Sequence, residues 1–310
     1  MPATPKRICD LSLAELRQRC RHNRLEIDYG AAVVRVQCRI QRFIPHLRQV
    51  YGAFHATDHP FADYHVRLNT SRGWRALLRP QSRFLIDGVE PFAPFPRDNA
   101  LPLFEWGVNW CFAQRFNQYV LLHAGVLAQQ DRAVIMAAPP GSGKSTLAAA
   151  MMLRGFRLLS DEFGVLCPEL GRLHAMLKPV ALKNQSVAVI RDFAPEAVIG
   201  PLFTGTRKGD VAHLAPNTAS VDAIHRPARP ALVIFPAYTT GAELTIRRLP
   251  QEQAFARLAF NSFNYELLGS LGFEAVAEVI ATSPAYELRY SQLDAAIAQI
   301  TQLLAEAQLG

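Results

Sequence analysis

The sequence predicts an α/β protein in two parts: a small, basic, mixed α/β domain over residues 1–100 and a larger α/β core over 101–310. Three observations predict it. The +7 formal net charge of the 310-residue chain lies in its first third: residues 1–100 hold 16 Lys and Arg against 9 Asp and Glu, and residues 101–310 hold 17 of each kind. A proline-rich stretch, Glu90-Pro-Phe-Ala-Pro-Phe-Pro96, ends in Arg97-Asp98-Asn99 and reads as the linker. Beyond it, a strand-like segment runs through a glycine-containing loop into an Ala/Leu-rich helix, the order of a βαβ unit.

The elements follow in chain order. Ser12 with Glu15 forms a capping box that opens a helix over 13–20. Residues 25–40 mix alternation with β-branched side chains and read as strand, broken at Gly30. Apolar residues at 43, 47, 50, 51 and 54 make 41–54 an amphipathic helix. Tyr64–Leu68, Trp74–Leu78 and Phe84–Ile86 read as short strands, with a turn at Asp87-Gly88. A helix over 103–117 carries Trp106 and Trp110 at i, i+4, and Tyr119–Leu127 and Ala133–Ala137 read as buried strands. Near the end, Ser291 and Asp294 form a capping pair for a packing helix with apolar residues at 293, 297, 300 and 304.

Composition narrows the function classes. Half the residues are hydrophobic and 19% are charged, which is globular composition. There is no apolar run long enough to span a bilayer, so no membrane association is expected. Met1 to Cys20 lacks an apolar signal-peptide core, which points to the cytoplasm. The five cysteines form no Cys-x-x-Cys pair, so reduced thiols are expected. The arginines of the first third are scattered without interleaved aromatics, so a solvated basic face is expected rather than a nucleic-acid site.

The chemistry concentrates after residue 119. Ala138-Pro-Pro-Gly-Ser-Gly-Lys144-Ser145-Thr146 fits Gly-x-x-x-x-Gly-Lys-Ser/Thr apart from its first glycine. In that pattern the loop Pro140-Gly141-Ser142-Gly143 turns backbone N–H groups onto phosphate oxygens. Lys144 supplies a point charge, the Ser145 hydroxyl a ligand for Mg²⁺, Thr146 completes the phosphate-binding set, and the helix over 147–153 adds its positive N-terminal end. Gly155 is placed to cap that helix. Next comes Arg157-Leu-Leu-Ser-Asp161-Glu162-Phe-Gly-Val-Leu166, an apolar strand interrupted by two carboxylates. Neighbours on a strand point to opposite faces, so the two acids should diverge, with Asp161 expected toward the P-loop. One carboxylate could hold Mg²⁺ and one could accept a proton; a strand-end salt bridge is the other reading for each. His123 lies on an apolar strand, where a satisfied core histidine is the competing reading. The chain has only five lysines, at 6, 144, 178, 183 and 208, which draws attention to Lys183 and Lys208. Arg207 and His213 flank Gly209 in what reads as a loop able to close over phosphate.

This constellation resembles the HPr kinase/phosphorylase superfamily. The family's His-containing strand, its Gly-x-Ser-Gly-x-Gly-Lys-Ser loop and its acidic pair correspond here to Leu122-His123-Ala-Gly-Val-Leu127, Ala138-Pro-Pro-Gly-Ser-Gly-Lys-Ser145 and Arg154-Gly-Phe-Arg-Leu-Leu-Ser-Asp-Glu162. Ala138 and Pro140 depart from the family loop, and the stretch tied to phosphorylase activity is absent. The sequence looks more like the divergent HprK-related kinase A group, which Leu182-Lys-Asn184, Phe235-Pro236 and Asn261-Ser-Phe-Asn-Tyr265 also suit. The resemblance implies a PEP-carboxykinase-like P-loop kinase core using ATP and Mg²⁺. It implies catalytic roles for Lys144, Asp161, Glu162 and His123, with Mg²⁺ at Ser145 and Asp161. It also implies a serine of a protein or peptide as acceptor, with a small PqqD-like peptide-binding protein as partner. A small-molecule kinase and a non-catalytic ATP-binding assembly factor remain open on the same core.

Overall fold

The computed structural model describes residues 6–57, 61–71 and 78–307. The chain is a mixed α/β protein built on three sheets. The first has five strands in sequential order: β1 (Leu25–Asp28), β2 (Val33–Cys38), β3 (Tyr64–Thr70), β4 (Gln81–Ile86) and β5 (Phe95–Pro96). Burial alternates along β2 and β4, so one face of this sheet is packed. Helix α1 (Leu13–Arg21) lies against it, and its expected capping box is formed: Ser12 Oγ accepts from the Glu15 N–H at 3.2 Å, and Glu15 accepts from the Ser12 N–H. Helix α2 (Phe43–Val50) is shorter than its periodicity suggested. The strand expected over Trp74–Leu78 falls almost wholly outside the described residues.

The stretch read as a linker differs from the sequence reading in one respect. Its last residues, Phe95–Pro96, are β5 and pair with β4, so the proline-rich stretch closes the first sheet. The helix that follows, α3 (Ala100–Arg115), is apolar nearly all round and is buried accordingly. Phe104 packs edge-on to Phe43 and Phe112 to Tyr64 on the five-stranded side, while Phe112 also meets Phe163 of the second sheet. Gly107 is required where α3 crosses β4, because a Cβ there would sit 2.2 Å from the Phe84 ring.

The second sheet has eight strands. β6 (Val120–Gln129) and β7 (Arg132–Ala137) form a hairpin, and β7 then leads through the P-loop into α4 (Lys144–Leu153). β8 (Arg157–Ser160) and β9 (Phe163–Cys167) both pair antiparallel with β6, and β10 (Arg172–His174) extends that edge. A small third sheet joins β11 (Val180–Lys183), β13 (Gly209–Leu214) and β12 (Phe203–Thr206) in that order; α5 (Gln185–Phe193) follows β11 and α6 (Thr218–Asp222) follows β13. Strand β14 (Arg229–Tyr238) returns to the large sheet parallel to β7, and β16 (Ala285–Tyr290) lies parallel beyond it with β15 (Thr245–Arg248) on its edge. Helices α7 (Gln251–Phe260), α8 (Tyr265–Leu268), α9 (Ser270–Thr282) and α10 (Leu293–Glu306) complete the chain. β7, β14 and β16 are parallel, so their carboxyl ends share one edge, where an open α/β sheet binds ligands. The expected Ser291–Asp294 cap does not form: Ser291 Oγ donates to the Ala242 carbonyl, and Asp294 pairs with Arg154.

Among the described residues no helix is long and apolar enough to cross a membrane. All five cysteines are free, and Cys20, Cys38 and Cys111 are buried.

Candidate active site

A cleft of about 1470 Å³ opens at the carboxyl ends of β7, β14 and β16. The P-loop forms its floor. Gly141 and Gly143 both adopt left-handed φ, +87° and +88°, which only glycine takes without strain. Gly143 has a second constraint, because a Cβ there would lie 2.8 Å from both the Tyr238 Cβ and the Tyr290 hydroxyl. Those tyrosines, at the ends of β14 and β16, hold the loop: the Tyr238 N–H donates to the Ser142 carbonyl at 3.0 Å and the Tyr290 hydroxyl to the Gly143 carbonyl at 3.3 Å. The first N–H groups of α4 have no partner within the helix and open toward the cleft.

Of the loop residues expected to bind phosphate, Pro140, Gly141, Gly143, Lys144, Ser145 and Thr146 line the cleft. Ser142 does not: its hydroxyl is buried without a partner and its N–H donates back to Pro139. Thr146 Oγ1 donates to Ser186 Oγ at 2.9 Å, tying α4 to α5. Lys144 is only 8% exposed, and its ammonium donates to the His123 carbonyl at 3.2 Å. Burial lowers its pKa, against the opposing pull of Asp161 and Glu162.

The acidic pair sits at the break between β8 and β9, two strands that both pair with β6. The two side chains diverge. Asp161 turns to Ser145 and the start of β11; its Oδ2 accepts from the Ala181 N–H at 3.4 Å, and its Oδ1 is buried with no partner at bonding distance. Burial raises its pKa, as does the adjacent Glu162 charge, while Ser145 and Lys144 oppose both. Glu162 turns the other way and accepts from Asn109 Nδ2. Burial acts to raise it too, but Lys208, Lys178 and Lys183 together bring it below the ordinary carboxylate range.

His123 lines the same cleft from β6. Burial and the Lys144 charge push its pKa down to about 4. Its backbone is fixed by Asn261-Ser-Phe-Asn-Tyr265. The His123 N–H donates to the Asn261 carbonyl at 2.6 Å, Asn264 Oδ1 accepts from the Leu121 N–H, and Phe263 packs on the imidazole.

Sequence reasoning missed a buried chain of contacts behind Glu162. Glu105 and Asn109 lie one turn apart on α3 and so face the same side. Lys178 bridges them, with its ammonium 3.0 Å from Glu105 Oε2 and donating to Asn109 Oδ1. Tyr51 donates to Glu105 Oε1 at 2.5 Å, and Tyr29 lies 3.2 Å from Tyr51. The orientation of Glu162 therefore traces back to the layer built by residues 25–54. One available signal was lysine scarcity: four of the five lysines line this cleft. His213, read as a loop residue, is instead in β13, 2% exposed, with Nδ1 unpartnered and its pKa pushed by burial to about 4.

A hard cation suits these donors. The orphaned Asp161 Oδ1 beside the Ser145 hydroxyl supplies oxygen ligands of the kind Mg²⁺ takes alongside phosphate oxygens and waters. Among the described residues there is no His/Cys/Asp/Glu cluster able to hold a metal by protein ligands alone.

No family model matches the chain, and no curated protein matches it. Among solved structures, a match is that of the Hpr(Ser) kinase/phosphatase from Coxiella burnetii, at 15% identity and a TM-score of 0.28, covering 61% of this chain and 96% of that one.

Proposed function

We propose that the chain is an ATP-dependent kinase of PEP-carboxykinase-like P-loop type that phosphorylates a hydroxyl, a serine of a protein or peptide in the cytoplasm. The observation that carries this reading is the pairing of a constrained P-loop with two carboxylates that point apart, one toward Ser145 and one toward Asn109. Gly141, Gly143 and the N-terminus of α4 cradle the phosphates, and Lys144 leaves its carbonyl partners to meet them. Ser145 and Asp161 hold Mg²⁺, which when bound neutralises phosphate charge. Glu162, fixed by Asn109, accepts the proton of the attacking hydroxyl. The hydroxyl oxygen forms its bond to the γ-phosphorus as the bond to the β–γ bridging oxygen breaks, and ADP leaves with that electron pair.

The test has two readouts. Binding of Mg²⁺ and a non-hydrolysable ATP analogue is measured by calorimetry on the full chain and on Lys144→Met, and transfer of label from ATP is followed into protein and metabolite fractions of a lysate. Binding lost in Lys144→Met, with label entering protein in a Mg²⁺-dependent way, supports the reading. Label entering only metabolites moves the acceptor to a small molecule. Analogue binding without any transfer leaves the ATP-binding assembly factor, and no binding removes the nucleotide site.

A further inference from the structure

The third sheet brings three cationic side chains to the cleft, Lys183, Arg207 and Lys208. Lys183 ends β11, and Arg207-Lys208 is the two-residue tip of the β12–β13 hairpin. The tip is pinned. Asn184 Oδ1 accepts from the Asp210 N–H at 3.1 Å, and Thr206 Oγ1 donates to the Gly209 carbonyl at 2.6 Å. Gly209 has φ +83°, and a Cβ there would strike Asn184 Oδ1 at 2.5 Å. None of the Lys183, Arg207 and Lys208 side chains has an ion-pair partner among the described residues, whereas Lys178 beside them is matched by Glu105. Arg207 stacks instead on aromatic rings, its guanidinium carbon 5.7 Å from the centroids of both Phe95 and Trp106. A guanidinium held over rings keeps its edge N–H groups available for a carboxylate or phosphate.

The P-loop divides the cleft. On the side of α5 and α10 the lining mixes apolar Val189, Phe193 and Leu293 with polar Gln185, Asp192 and Asp294. The cationic tip and its platform lie on the side that Glu162 faces: Trp106, under Arg207, is one turn from Asn109 on α3, and Asn109 donates to Glu162. Charge at that end serves whatever approaches Glu162, and under the kinase reading that is the acceptor.

We propose that Arg207, Lys208 and Lys183, over the Phe95–Trp106 platform, form an acceptor subsite for an anionic group next to the reacting hydroxyl. The acceptor is acidic: a serine flanked by carboxylates in a peptide, or a small hydroxy acid. This inference rests on the kinase reading of the same cleft.

The test measures binding to the full chain in the presence of Mg²⁺ and the ATP analogue. The probes are a labelled Glu-Glu-Ser-Glu-Glu peptide, its Gln- and Lys-flanked counterparts, and L-malate. The glutamate peptide should bind on the order of tenfold more tightly than the glutamine peptide, and the lysine peptide should bind least. Arg207→Gln and Lys208→Gln should each erase most of that preference while leaving affinity for the analogue unchanged. Malate binding with no peptide discrimination keeps the anionic subsite and assigns it to small acids. The inference is overturned if no acidic probe is preferred, or if both variants retain the preference. Because analogue binding is recorded in the same titrations, its loss in the unmodified protein would mark failure of the kinase reading instead.

Discussion

The two sides of the cleft are built differently. The phosphate-facing groups come from one continuous segment, residues 138–146, steadied from outside by Tyr238 and Tyr290 at the ends of β14 and β16. The Glu162 side draws on α3, on Lys178 and Lys183 around β11, and on the β12–β13 hairpin, so that its closest contacts join residues 53 and 69 positions apart. A local site depends on backbone conformation. An assembled site depends on packing, and so responds to changes far from the chemistry.

Breaking the phosphate side should have the largest effect. Lys144→Met removes the only ammonium within the P-loop and should lower ATP turnover by roughly 10³-fold, with the circular dichroism spectrum retained. Next, the acidic pair should separate. Asp161→Asn should reduce kcat by a factor on the order of 10³ and raise the Mg²⁺ concentration needed for half-activity. Glu162→Gln should cost about 10² in kcat and leave that Mg²⁺ dependence unchanged. Steady-state kinetics across a Mg²⁺ series for both variants decides it; matching Mg²⁺ curves would mean that the divergence of the two side chains has no chemical meaning.

Asn109→Leu sharpens the comparison, because it touches only the assembled side. It should lower kcat roughly tenfold by releasing Glu162, with analogue affinity unchanged. A loss of nucleotide binding in that variant would show that the two sides are not separable.

A smaller effect concerns stability. His213 is buried, facing Glu105, Lys178 and Lys183, and its folded pKa of about 4 lies below the ordinary histidine value. The unfolded chain therefore takes up a proton first as pH falls. The contribution of the neutral imidazole is present above about pH 6.5 and is lost progressively as pH drops toward 4. Urea denaturation at pH 7 and pH 4 should show the unmodified protein losing about 3 kcal/mol more than His213→Leu over that interval. Smallest of all, Ser12→Ala removes the cap of α1 and should cost about 1 kcal/mol at any pH in the same assay.

What the sequence by itself determined is what short-range geometry encodes. The capping box of α1, the strands β6 and β7, and the P-loop with its flanking strand and helix all depend on residues near one another in the chain. Turn glycines, caps and the two-residue strand period leave marks that can be read locally. Tertiary structure decided the remainder. Nothing near Glu162 in sequence announces Asn109 or Lys178, because their meeting needs α3 seated between two sheets. His213 read as a loop residue until β13 buried it, and Phe95–Pro96 read as linker until β5 joined the first sheet. In each case burial against a distant segment set the role of the side chain, and one sequence carries no local record of what will pack upon it.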